Sequence, residues 1–307
     1  MYEFYYIYQD RTHYYGSTFM EHATSEDMVE HFENCTEGLN IGRMFQISMD
    51  GPNVNWKFHR VMQEKISMTF NQSLRSIGSC GLHIVHGAFK DGAAASAWPV
   101  QDVLKSWHKL FKETPARRED YVNATGTDLF PLKFCAHRWV ENVPVVQRVI
   151  DIWPNIKVYI HKVFQGIYPH PKTASYGTVV SCTKDPLMMV KFLAFLSIAK
   201  LVLPFLVTYQ TDKPMMPFIA EDRHRLLSGI VKRFVKEDVD TSSINKLMQL
   251  DPKDKKIHRN YSKVDLGFAA DQELKKIKSP ATGTSVVSDR QIMELRLQCR
   301  LLAKNSC

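Results

Sequence analysis

Met44-Phe-Gln-Ile-Ser-Met-Asp-Gly-Pro-Asn53 is the stretch on which the reading of the fold turns. Residues 44–49 alternate as a half-buried strand does, and Asp50-Gly51-Pro52 stops them with turn-forming residues. Beyond the turn, Val54, Phe58, Val61 and Met62 recur at helical spacing, so residues 53–68 read as an amphipathic helix. Upstream, residues 3–9 are dense in Tyr, Phe and Ile, and after Asp10-Arg11 a second β-rich segment covers residues 12–19, which together predict a hairpin. Thr24-Ser25-Glu26-Asp27 is a helix start, with Met28, Val29 and Phe32 at helical spacing up to Cys35 and Gly38 beyond. The expected order is strand, strand, helix, strand, helix.

Downstream, Cys80-Gly-Leu-His83-Ile-Val-His86-Gly-Ala-Phe89 suits a buried strand or a helix equally well. Helices are then expected at about 100–113, 116–123, 137–153, 155–164, 185–210, 218–236 and 288–304. Residues 251–280, rich in Lys and Asp, read as a linker or mobile arm. The fold class expected is therefore α/β, a small mixed sheet at the front with a large all-helical region behind.

At 307 residues and 44% hydrophobic content the chain has ample material for a buried core. Its net charge of +8 is unevenly placed. Residues 1–52 hold two cations against nine acids, a balance of −7, and the rest hold 38 against 23, a balance of +15. An acidic head on a basic body suits a polyanion partner, and a solvated basic surface is the plainer reading. Six scattered cysteines without framework spacing point to a reducing, intracellular compartment. The opening residues read as a strand in progress rather than a targeting segment. Residues 187–209 are apolar but interrupted by Lys191, Lys200 and Pro204, so a buried helix or helix pair is expected there and no membrane partner.

Three groups of residues bear chemistry. Asp50, at the end of the expected strand, faces the crevice where α/β sheets bind ligands, with Asn53 and Asn55 beside it. With partner carboxylates it would hold divalent ions for phosphoryl transfer; as part of Asp-Gly-Pro-Asn it would simply cap a helix. Cys80 and His83, with His86, Cys135 and His137, would supply zinc ligands if they converged; packing as buried side chains is the competing reading. Arg138, next to Trp139 at an expected helix start, would clamp a phosphate or make a salt bridge. No G-x-S-x-G, P-loop, GxGxxG or HExxH pattern occurs, which removes support for the hydrolase, nucleotide-triphosphatase, dehydrogenase and metalloprotease classes those patterns mark.

Met49-Asp50-Gly-Pro-Asn53, then Cys80-Gly-Leu-His83 about thirty residues later, then Arg138-Trp139, in this order, resemble the RNase H-like catalytic core of the hAT superfamily of DNA transposases and the proteins derived from it. The resemblance covers about residues 1–165. It implies a partial RNase H-like core over 1–165, from the family's second strand onward, a helical insertion-like region over 166–250, and a basic linker with a terminal helix over 251–307. It also implies a DDE-type acid set binding Mg or Mn, in which Asp50 is the second acid and Glu221 or Glu294 the third. The first acid would lie on a strand before Met1 and is expected to be missing, so catalysis is expected to be lost. The resulting expectation is an inactive, domesticated transposase-like protein in the nucleus, with DNA as partner through its basic part and Arg138 as a contact. A helical module binding protein partners or a second copy, with no nucleic-acid role, is the alternative, and an active nuclease ranks behind both.

Overall fold

The computed structural model describes residues 2–8, 11–19, 24–49, 53–75, 80–112, 114–211, 213, 215–279 and 287–306. Two antiparallel strands, β1 (Tyr2–Tyr8) and β2 (Arg11–Thr18), pair Tyr2 with Thr18 and Tyr8 with Arg11, with an irregularity between Phe4 and Tyr5. Twelve helices follow among the described residues: α1 (Ser25–Cys35), α2 (Asn53–Phe70), α3 (Gly81–Ala95), α4 (Val100–Lys112), α5 (Pro115–Thr125), α6 (Val143–Phe164), α7 (Ala174–Lys184), α8 (Met188–Tyr209), α9 (Ile219–Val231), α10 (Ile244–Gln249), α11 (Phe268–Lys278) and α12 (Asp289–Asn305).

The expectation of an α/β fold with a partial RNase H-like mixed sheet does not hold. The chain is mostly helical, and the β1–β2 hairpin is the whole of its sheet among the described residues. Residues 44–49 are extended but form no ladder: the Phe45 carbonyl accepts from the Arg75 amide at 2.9 Å and the Met49 carbonyl from the Cys80 amide at 3.2 Å. The apolar residues that suggested a strand, Met44, Ile47 and Met49, pack directly on the core that α1 and α2 build from Met28, Val29, Phe32, Phe58, Met62 and Ile66. Burial against two helices satisfies the pattern as well as burial in a sheet would. The ambiguous segment from Cys80 is helical, because His86, Phe89 and Ala93 repeat at the period of a helix and are all buried.

The chain divides into two compact units, Met1–Ile84 with Tyr209–Pro217 and Val85–Thr208 with Phe218–Cys307. In the first, Thr24 caps α1: its hydroxyl accepts from the Asp27 amide while the Asp27 carboxylate accepts from the Thr24 amide, both at 3.1 Å. In the second, α6 and α8 each bury ten residues, more than any other described helix. Trp107 of α4 stacks on Trp153 of α6 at 5.4 Å, Phe192 of α8 meets Trp153 edge-on, and Phe89 of α3 packs edge-on against Phe195 of α8. Fully buried Tyr121 and Tyr159 sit against Phe111, and burial pushes both phenols up to about 12. Gly92 lets α3 approach α12 so closely that an added Cβ would lie 2.5 Å from the Leu302 carbonyl.

Two further expectations give way. The break expected at Pro154 is absent: α6 runs through it, because the lost amide costs one hydrogen bond while Ile152, Trp153, Ile156 and Tyr159 on both sides are buried. Residues 251–279 are no loose arm. Val264, Leu266, Ala270 and Leu274 are buried, and backbone bonds join Lys236 to Ile257 at 2.8 Å and Arg259 to Phe234 at 2.8 Å. The Lys- and Asp-rich composition masked a widely spaced apolar set.

Candidate nucleic-acid interface

Helix α4 divides sharply by chemistry. Val100, Val103, Leu104, Trp107, Leu110 and Phe111 face the core, which leaves Lys105, His108, Lys109 and Lys112 at i, i+3, i+4 and i+7 as one outward face. Asp102, exposed in the first turn, is the acid at its start. Lys133 adds a fourth lysine from the loop before α6, and its neighbour Phe134 lies under the Lys105 ammonium, 5.6 Å from the ring centre. The His108 imidazole is held below its ordinary range, first by partial burial and then by the charges of Lys112 and Lys133. The three side chains therefore share one positive field.

The loop that carries Lys133 is fastened by the Arg138-Trp139 segment. Trp139 is buried and meets Phe134 edge-on at 5.3 Å. Asn142, wholly buried, accepts from the Cys135 amide at 2.7 Å and donates to the carbonyls of Cys135 at 2.8 Å and Trp139 at 3.0 Å. The Val140 amide donates to His86 Nδ1 at 3.4 Å. Four Val residues at the α6 entrance, Val140, Val143, Val146 and Val149, are buried, as their spacing requires. Arg138 is exposed and pairs with Glu141 at 3.1 Å, so of its two expected roles the structure records the salt bridge.

The other sequence-selected residues are placed as follows. Asp50 lies outside the described residues. Glu221 is exposed on α9 and pairs with Arg225 at 2.9 Å; Glu294 is exposed on α12. Cys80 and His83, half-buried and exposed, belong to the first unit, and Cys135 and His137, likewise half-buried and exposed, to the second. Among the described residues no three His, Cys, Asp or Glu side chains come together to hold a metal ion. With Asp50 outside the described residues, no chemical step is derived through the Mg or Mn that the resemblance implies. Helix α8 is long and apolar enough to cross a membrane, but half of its most apolar window is buried inside the protein, which is how a core helix behaves.

The α4 face was not picked out in the sequence. Its signal was present in the helical spacing of Lys105, Lys109 and Lys112, four and then three residues apart, and was diluted by a count of charges over 255 residues. Comparison of the chain with protein-family models, with curated proteins and with solved structures finds no match.

Proposed function

We propose that this protein binds nucleic acid without cleaving it, gripping the phosphate backbone of DNA through Lys105, Lys109 and Lys112 of α4 together with Lys133. The observation that carries this reading is the concentration of four lysines and His108 on one outward surface, anchored to a rigid core by Trp107 and Trp139. Lysines at that spacing follow a phosphate backbone and read no sequence, so the binding is nonspecific and salt-dependent. Of the hAT resemblance the proposal keeps the DNA partner, the nuclear location and the loss of strand transfer, without the RNase H-like core.

The test is fluorescence anisotropy of a labelled duplex titrated with the full chain at several salt concentrations from about 50 mM upward. Binding should weaken linearly in log–log form with salt. The triple variant Lys105→Gln, Lys109→Gln, Lys112→Gln should lower the magnitude of that slope by about 3, at roughly 0.9 per phosphate contact, with an unchanged melting temperature. No binding at the lowest salt, or an unchanged slope in the triple variant, would overturn the reading and leave the protein-interaction alternative.

A further inference from the structure

A groove of ≈ 360 Å³ runs along α7 in the second unit, and its lining combines charge with a flat apolar wall. Lys172 and His170 stand at its N-terminal end and Lys184 at its C-terminal end; all three are exposed. Asp185, the acid next to Lys184, is engaged by Lys191 at 2.6 Å. Phe164, the last residue of α6, keeps 59% of its surface open and has the Lys184 ammonium 5.9 Å from its ring centre. Tyr176 forms a buried floor, with the His170 ring edge-on against it at 4.8 Å. Gly177, in the body of α7, also lines the groove, and a Cβ placed on it would meet nothing within 4 Å. A glycine inside a helix weakens it, and no neighbouring side chain requires one here, so the uncovered backbone is open to whatever enters the groove.

We propose that this groove holds an unpaired nucleotide of a single strand, with its phosphates drawn to Lys172 and Lys184 and its base stacked on Phe164 above the bare backbone of Gly177. The chemistry is that of sequence-tolerant single-strand binding, in which an aromatic face takes the base and lysines track the backbone. An acidic chain such as polyglutamate would use the lysines but has no aromatic face to stack on Phe164 and no need of a bare helix at Gly177. The proposal rests on the reading that the chain binds nucleic acid, and it adds a second surface with a preference of its own.

The test compares a labelled twelve-nucleotide oligo(dT) with a labelled duplex, both titrated with the full chain at one low salt concentration. Phe164→Leu, which keeps the apolar bulk and removes the aromatic face, should weaken oligo(dT) binding by about 5- to 100-fold and leave duplex binding within about twofold. Gly177→Ala should raise the melting temperature, as a better helix former, and still weaken oligo(dT) binding. Polyglutamate of matched length should compete poorly with oligo(dT). The proposal is overturned if both variants bind oligo(dT) as the parent chain does, if polyglutamate competes equally well, or if the duplex binds and oligo(dT) does not. Loss of binding to both nucleic acids in the parent chain would instead remove the underlying reading, and this proposal with it.

Discussion

At Gly267 the backbone turns to φ 92°, and a Cβ added there would lie 2.6 Å from the Ser197 Cβ and hard against its hydroxyl. Neither can yield easily, because the buried Arg233 guanidinium donates to that hydroxyl at 2.8 Å and stands 3.6 Å from the Asp265 carboxylate. Gly267→Ala combines a disfavoured backbone with overpacking and should destabilise the protein by about 2–4 kcal/mol, read as a lower urea midpoint with an unchanged slope. His108 is a second position where the surroundings decide the behaviour. Its lowered pKa means that, as pH falls below about 6.5, the unfolded chain takes up a proton before the folded one does, so this group favours folding above that range and the advantage is lost as pH falls through it. A bound polyanion reverses the local field set by Lys105, Lys109, Lys112, Lys133 and Asp102, and favours the charged imidazole. Duplex affinity should therefore rise as pH is lowered from about 8 to about 6, and His108→Gln should remove most of that rise in anisotropy titrations.

The elements show where tertiary contacts override local preference. Pro154 is exposed on α6 and deprives the helix of one amide, while the residues around it are packed against α4 and α8. Pro154→Ala should restore the missing hydrogen bond and raise stability by about 1–3 kcal/mol, measured as a higher melting temperature. Helices α1, α2, α4 and α12 were legible because a start signal or a strict apolar stripe marks each one, as Thr24 with Asp27 does for α1. That the helices expected at 137–153 and 155–164 run on as one was not legible, because a proline argues for a break wherever packing is unknown. Residues 44–49 misled for the same reason: alternation reports that one side of a segment is buried, and says nothing of whether a strand or a pair of helices buries it.

At the scale of the whole molecule, several of the cations serve the fold. Arg117 donates to the Leu110 carbonyl at 2.6 Å, Lys162 to that of Ala124 at 2.8 Å and Arg148 to that of Phe130 at 3.2 Å, while Arg296 pairs with Asp271 at 2.7 Å. The salt slope of duplex binding should accordingly be about −4, reflecting the four lysines at the α4 surface rather than the +15 excess. Composition and periodicity alone determined the hairpin, the positions of most helices, the helix over 187–209 and the uneven charge, since each depends on neighbours a few residues apart. Which lysines share a surface, what covers residues 44–49, and that Glu221 and Glu294 stand exposed, Glu221 paired with Arg225, were matters for the tertiary structure. Contacts between residues far apart in the chain are set by packing many side chains at once, and no local pattern encodes that sum.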